Sequence, residues 1–263
     1  MLTDDSTVEN IKFLTQSPVR VQILELLREE GALSKNDLAE HFDVSRVTIQ
    51  RNVKALEERD WIDNSHPTYA ITPLGELVIE EVTPLTDSME IARKLRPFLK
   101  WMPRDSFDVD PLELADATVI PVDPTDPYNW VSYHIERFES VSHVRMTLPM
   151  IGDEAWDVTT KRTLAGELEA EFIADPDVAE TLRTNPRYTE KVEQVLATDR
   201  LTLSVYDGQF SYGIGLFDQY VQMIAMDDDG LPQTLVETDS ETVHGWAETK
   251  FESYRAKAEP VEF

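Results

Sequence analysis

The run Ser45 to Lys54 carries the side chains with the clearest chemical use in this 263-residue chain. A helix beginning after Ser45 places Ile49, Val53 and Leu56 on one side, at i, i+4 and i+7. Arg46, Val47, Gln50, Arg51 and Lys54 then lie away from that stripe. In the major groove of a duplex, a guanidinium can clasp O6 and N7 of guanine, and a carboxamide N6 and N7 of adenine. Each such pair discriminates by about 1–3 kcal/mol. Gln50 and Arg51 are the candidates for base contacts, and Arg46 is divided between base and phosphate. Hydroxyls and helix N-termini suit phosphate oxygens. Ser45, Thr48 and Lys54 are therefore phosphate candidates. His66, in the turn Asn64-Ser65-His66-Pro67, can approach a minor groove or the backbone.

A polar helix face also has plainer uses, hydration or contact with another protein. Local charge favours the nucleic acid. Residues 45–59 hold four basic side chains, Arg46, Arg51, Lys54 and Arg59. Their only acids, Glu57 and Glu58, sit at the end away from the groove. The alternative, a winged-helix assembly module that makes protein contacts only, predicts that Arg51→Ala leaves function intact.

The neighbouring sequence supplies the elements that would hold this helix. Ile11 and Leu14 suggest a short first helix. Pro18 suits the first helical position after Ser17 as N-cap. Val21, Leu24 and Leu27 continue that helix to Gly31, a plausible stop. Ser34 and Asp37 make a capping-box pattern, with Asp in place of Glu. His41 to Val44 forms a turn, and Ser45 caps the next helix. Trp61-Ile62 starts a strand, Thr68–Thr72 returns as a second, and Pro73-Leu74-Gly75 opens another helix.

Helices, then a short hairpin, then a helix is the order of a winged helix-turn-helix domain. The stretch LSKNDLAEHFDVSRVTIQRNVKALEERDWID resembles the winged-helix transcriptional regulators of archaea and bacteria. Val44 to Arg51 matches the opening of their recognition helix. Leu56-Glu57-Glu58 followed by Trp61-Ile62 matches their exit into the wing. The resemblance covers about residues 8–80 and implies double-stranded DNA as partner.

Charge divides the chain. Residues 1–83 hold 8 basic and 16 acidic side chains, 84–104 hold 5 and 2, and 105–263 hold 11 and 33. The expected organisation is a winged helix-turn-helix domain at 1–83, a helical connector at 84–104 and a regulatory domain at 105–263. In the connector, Leu85, Met89, Ala92, Leu95 and Leu99 share a stripe, and Pro97 is expected to kink or interrupt the helix. Two half-sites require two recognition helices. The connector is thus expected to pair two copies into a homodimer, with burial inside one chain as the alternative.

The formal charge is −27, with only 9 lysines among the 24 basic residues. Spread-out carboxylate with little lysine fits a protein kept hydrated in a molar-salt cytoplasm, where salt screens self-repulsion. A halophile's cytoplasmic protein is the expectation. The absence of cysteine excludes disulfides and thiolate metal sites. No apolar run nears the roughly 18 residues of a membrane span, and the acidic start MLTDDSTVEN does not read as a signal peptide.

The second half alternates helix and strand signals. Pro111–Ala115 reads as a short helix, Val119–Val122 as a strand, Tyr128–Phe138 as a helix and Val141–Leu148 as a strand. Glu167–Ile173 is a strand, followed by helices from Asp175-Pro176 and over Tyr188–Leu196. Leu201–Tyr206 and Phe210–Phe217, joined by Asp207-Gly208, read as a hairpin. Tyr220–Met226 and Gln233–Glu237 flank a second turn, and Ser240 caps a last helix expected to pack on the sheet. ADATVIPVDPTDPY, VRMTLP, LSVYDGQFSYGIGLFDQYVQMIAMDDDGLPQTLVETD and WAETKFESYR follow one another in the order of the methanogenesis-regulatory-protein middle domain of archaeal regulators, which the stretch resembles over about residues 105–260. The resemblance implies a regulatory domain and supplies no ligand. The whole chain is expected to be an α+β protein, with an antiparallel, hairpin-rich sheet in its C-terminal mixed α/β domain.

No catalytic, metal or cofactor site is expected. The chain has no G-x-S-x-G, no P-loop, no H-x-x-x-H and no H-x-K. Asp227-Asp228-Asp229 lacks the EF-hand spacing and reads as a solvated turn. Gly213-Ile214-Gly215 is too short for a dinucleotide fingerprint and reads as a bulge or close packing within a strand. A small-molecule effector is a candidate partner of the second domain, with Asp126, Tyr128 and Arg145 near strand and helix ends as its candidate contacts.

Overall fold

A computed structural model describes residues 5–65, 67–103, 106–123 and 125–261. The chain divides into two compact units between Glu90 and Ile91.

The first unit contains α1 (Asp5–Thr15), α2 (Pro18–Glu30), β1 (Leu33–Ser34), α3 (Lys35–Glu40), α4 (Arg46–Glu57), β2 (Ile62–Ser65) and β3 (Thr68–Ile71). It also takes the first turns of α5 (Pro73–Leu99). Its boundaries have local causes. Gly31 ends α2 at φ +80°, a conformation that suits glycine. The Ser34–Asp37 capping box forms in both directions, at 3.3 and 3.1 Å. Leu14, Leu24, Leu38, Ile49, Leu56 and Ile79 pack into one core. The two-residue strand β1, unread in the sequence, pairs with β3 beside β2 and completes a three-stranded antiparallel sheet.

Helix α5 starts hard against this sheet. Thr72 Oγ1 accepts from Gly75 N at 3.1 Å and donates to Asp60 O at 2.6 Å. A Cβ at Gly75 would sit 2.1 Å from Trp61 O, so only glycine permits the approach. The helix then runs unbroken through Pro84 and Pro97, so of the kink or interruption expected at Pro97 the interruption does not occur. Pro97 lies in the last turn, and its carbonyl, one of the orphan acceptors at the helix C-terminus, accepts from Thr234 Oγ1 at 3.0 Å. The expected apolar stripe is split. Leu85 and Met89 are 50% and 66% exposed, whereas Leu95 and Phe98 are buried in the second unit.

The second unit is built on an eight-stranded sheet in the order β11-β7-β6-β5-β8-β9-β10-β4. The strands are β4 (Thr118–Pro121), β5 (His143–Leu148), β6 (Glu169–Ala174), β7 (Leu201–Tyr206), β8 (Tyr212–Phe217), β9 (Tyr220–Met226), β10 (Pro232–Thr238) and β11 (Ala258–Pro260). β5, β6 and β7 run parallel, and the remaining pairs are antiparallel. Helices α6 (Asn129–Ser140), α7 (Asp153–Leu164), α8 (Pro176–Thr184) and α9 (Pro186–Leu196) share one apolar cluster with Val144, Met146 and Leu148 of β5. On the other face, α10 (Glu241–Arg255) packs Val243, Ala247 and Phe251 against β8 and β9, together with Leu95 and Phe98 of α5.

Two expectations are corrected here. β7 and β8 are not a hairpin: β7 pairs in parallel with β6, and β8 pairs with β5 and β9. The Asp207-Gly208 bend carries the chain past two strands instead of back on itself. Residues 153–164, to which the sequence assigned no element, form α7. Its inward face is Trp156 with Thr159, Thr160 and Thr163, too polar to show a helical period.

Candidate functional site

Two regions gather the sequence-derived candidates. The first is α4. Ser45 caps it, its Oγ accepting from Thr48 N at 3.2 Å and lying 2.9 Å from Thr48 Oγ1. Ile49, Asn52, Val53 and Leu56 face inward, each at most 3% exposed. Arg46, Val47, Gln50, Arg51 and Lys54 are all exposed, and the helical advance sets them on one continuous outer face. Val47 stands 76% exposed among them. Thr48 is half-buried beside the cap. Lys54 is held loosely toward Glu58 at 3.9 Å. His66 lies outside the described residues.

The positioning of α4 rests on a contact that the sequence reading missed. Asn52 is buried, donates through Nδ2 to Thr48 O at 3.0 Å and accepts from Arg20 Nε at 3.0 Å. Arg20 also donates to Phe13 O, and its guanidinium lies 3.9 Å from the centre of the Phe13 ring. Burial, then Arg59 and Arg51, lower the Arg20 pKa. The signal was present in the sequence: a lone amide, Asn52, on an otherwise apolar helical stripe.

The second region is a cavity of about 920 Å³ in the C-terminal unit, between α6, α7 and the sheet. Tyr128 lines it, 73% exposed at its rim. Asp126 is exposed in the adjoining turn, bridged through its backbone to Asp123. Arg145 is elsewhere. It lies on the α10 side of the sheet, ion-paired with Glu248 at 2.6 Å and Glu252 at 3.1 Å. The structure therefore brings Tyr128 to the cavity and sets Arg145 apart from it.

A chain of polar side chains runs beneath the cavity. His134 Nδ1 meets Gln222 Oε1 at 2.5 Å, and Gln222 Nε2 donates to Glu237 Oε2 at 2.7 Å. Glu237 also accepts from Tyr133 Oη at 2.8 Å and from Arg137 through both Nε and a terminal nitrogen. Burial opposes ionisation of Glu237, but the bonds from Arg137, Gln222 and Tyr133 outweigh it and hold its pKa below the usual range. Burial lowers the pKa of His134. Among the described residues, no group of three or more His, Asp or Glu side chains is placed to hold a metal ion, and no helix is long and apolar enough to cross a membrane.

A winged helix-turn-helix unit and a second unit built on a mixed sheet with helices on both faces define the class of a two-domain regulator. The comparisons narrow it. Residues 8–94 match the HVO_A0261 N-terminal domain, and residues 127–257 match the middle domain of the methanogenesis regulatory protein FilR1. The chain thus carries both domains, an HVO_A0261-type N-terminal domain and a FilR1-type middle domain of archaeal regulators. No curated protein matches it. Among solved structures, the archaeal chromatin protein TrmBL2 aligns at 15% identity over 98% of this chain and 100% of its own, with a TM-score of 0.43. NucT from Helicobacter pylori aligns at 10% identity over 55% of this chain and 98% of its own, at 0.44. The phospholipase D family member Nuc from Salmonella typhimurium aligns at 9% over 56% and 98%, at 0.41. Scores this low establish no shared fold.

Proposed function

We propose that this regulator is a sequence-specific, double-stranded-DNA-binding transcription factor that reads its promoter with α4. The carrying observation is the outer face of that helix, where Arg46, Val47, Gln50, Arg51 and Lys54 are exposed together beside a capped N-terminus. Gln50 and Arg51 read bases, Val47 offers an apolar contact for a thymine methyl, and Ser45, Thr48 and Lys54 hold phosphates, with Arg46 serving either. His66 would touch the minor groove or backbone from the wing. The chain acts as a regulator without catalysis of its own, in a cytoplasm salty enough to suit its charge of −27.

Each chain carries one such helix, so reading two half-sites takes a homodimer. Leu74, Leu77, Leu85 and Met89 are exposed apolar side chains on one side of α5 that suit such pairing, with the exposed Glu81 between Leu77 and Leu85. The C-terminal unit is the responsive half, and its ligand acts by binding one arrangement of the dimer better than another.

The test is genome-wide crosslinking of the tagged protein in its host beside a Gln50→Ala/Arg51→Ala variant. Discrete promoter peaks that vanish in the variant support the proposal. Peaks unchanged in the variant, or none, favour a winged helix used for protein contacts.

A further inference from the structure

The cavity of the C-terminal unit has the size of a small-molecule site, about 920 Å³ against a usual range of roughly 300–1,000 Å³. Part of its sheet wall is bare because Gly213 lines it without a side chain. Crowding does not require glycine there. A Cβ at Gly213 would find Pro149 Cγ at 3.5 Å and Ile224 Cβ at 3.6 Å, ordinary contacts. Its φ is not in the left-handed range either, since only Gly31, Gly166 and Gly230 among the described glycines have positive φ. What glycine leaves at this position is room.

The polar chain beneath the cavity fixes what its imidazole offers. Ionised Glu237 can only accept hydrogen bonds, so Gln222 must turn its NH2 toward it. Gln222 then presents Oε1 to His134 Nδ1, which must donate. A neutral imidazole that donates from Nδ1 carries a lone pair on Nε2. His134 lines the cavity, and no described group bonds its Nε2. The other walls are mainly apolar, with Trp130, Phe138, Trp156 and Phe217 beside Met146 and Leu148. No lysine or arginine lines the cavity among the described residues. Of its two carboxylates, Asp153 is already paired with Arg187 at 2.8 Å and Glu154 is exposed.

We infer that this cavity is a ligand site for a neutral, mainly apolar small molecule that directs a single O–H or N–H donor at His134 Nε2. Lack of cationic lining disfavours anions, and the absence of a free inner carboxylate disfavours cations. The inference rests on reading the C-terminal unit as the responsive half of the regulator.

The probe is N-phenyl-1-naphthylamine, a neutral aromatic fluorophore with one N–H, titrated into the full chain beside 1-phenylnaphthalene, which lacks the donor. Saturable fluorescence enhancement is expected. Gly213→Leu, filling the cavity from the sheet, and Val131→Trp, filling it from α6, should each weaken binding of both probes by about tenfold or more. His134→Phe keeps the ring and removes the acceptor. It should weaken the amine about tenfold, as for one lost hydrogen bond, and the hydrocarbon by less than about twofold. Absence of saturable binding overturns the inference. So does unchanged binding in either filling variant that keeps the wild-type circular dichroism, or an equal effect of His134→Phe on both probes. A gel-shift assay on promoter DNA with the same preparations separates the two readings. A chain that shifts DNA but ignores the probes defeats the ligand site alone, and probe binding without a DNA shift defeats the DNA reading.

Discussion

Arg20 on α2 donates through Nε to Oδ1 of Asn52 on α4 at 3.0 Å, while Asn52 is 1% exposed. This polar tie joins α2 to a buried amide on the inward face of α4, and its Arg20 end is only half-buried. Removing Arg20 leaves the buried Oδ1 of Asn52 without this donor, whereas removing Asn52 frees a guanidinium that is only half-buried.

Asn52→Ala should destabilise the first unit by about 1–3 kcal/mol, the worth of a lost hydrogen bond to a charged group. Promoter affinity should fall with it, although Asn52 touches no DNA. Urea denaturation followed by a DNA titration at a temperature where the variant stays folded checks both. A variant within about 0.5 kcal/mol of wild type would mean that the tie carries little.

Gln50 and Lys54 lie on one face but should fail differently. Gln50→Ala should cost about 1–3 kcal/mol on the promoter and relax the choice of base at one position. Lys54→Ala should weaken all sequences alike and lower the salt slope by about one. Titrations on promoter and scrambled duplexes at several salt concentrations distinguish them. Equal losses on both duplexes for Gln50→Ala would remove it from base reading.

Two glycine-to-alanine changes should have opposite signs. Gly75→Ala places Cβ 2.1 Å from a backbone oxygen and must push α5 off the hairpin, at a cost of about 1–3 kcal/mol. Gly245, inside α10, has open space where a methyl would stand, with nothing within 4 Å. Gly245→Ala should therefore gain up to about 1 kcal/mol through helix propensity. Thermal melting of each variant reads the sign directly.

His134 gives a pH dependence. Burial holds its folded pKa below the ordinary 6.5, so the folded chain keeps it neutral while the unfolded chain takes up a proton. Its contribution to stability is complete above pH 6.5 and is lost as pH falls through the window beneath it. The slope is at most about 1.4 kcal/mol per pH unit. Urea unfolding of wild type and His134→Phe at about pH 7.5 and about pH 5 isolates this group. Parallel curves would show that His134 does not titrate differently on folding.

What could be read from the sequence was local. Ser34 with Asp37, Ser45 with Thr48, and Pro18 after Ser17 announce helix starts through neighbours three residues away or fewer, and each helix begins there. Ile49, Val53 and Leu56 fixed which side of α4 is buried, and with it the outer face. What required distant partners was not legible. Asp207-Gly208 has the composition of a hairpin turn, but the partner of β7 is β6, reached in parallel through two helices. Arg145 sits between Val144 and Met146, and the period of two that sends those side chains to the α6–α9 face sends Arg145 to α10. The cavity itself depends on an unsuspected helix, α7, meeting a strand where close packing, one of the two readings of its glycines, holds at Gly215 against Phe217 but not at Gly213.

The eight-stranded sheet ends in two short strands, β4 and β11, of four and three residues, and each finishes in proline, Pro121 and Pro260. A proline has no amide hydrogen to offer an incoming strand, and short edges leave little to template. Both rims are thus poorly suited to growth by β-addition. The sheet is thereby closed at both ends against polymerisation through its own edges.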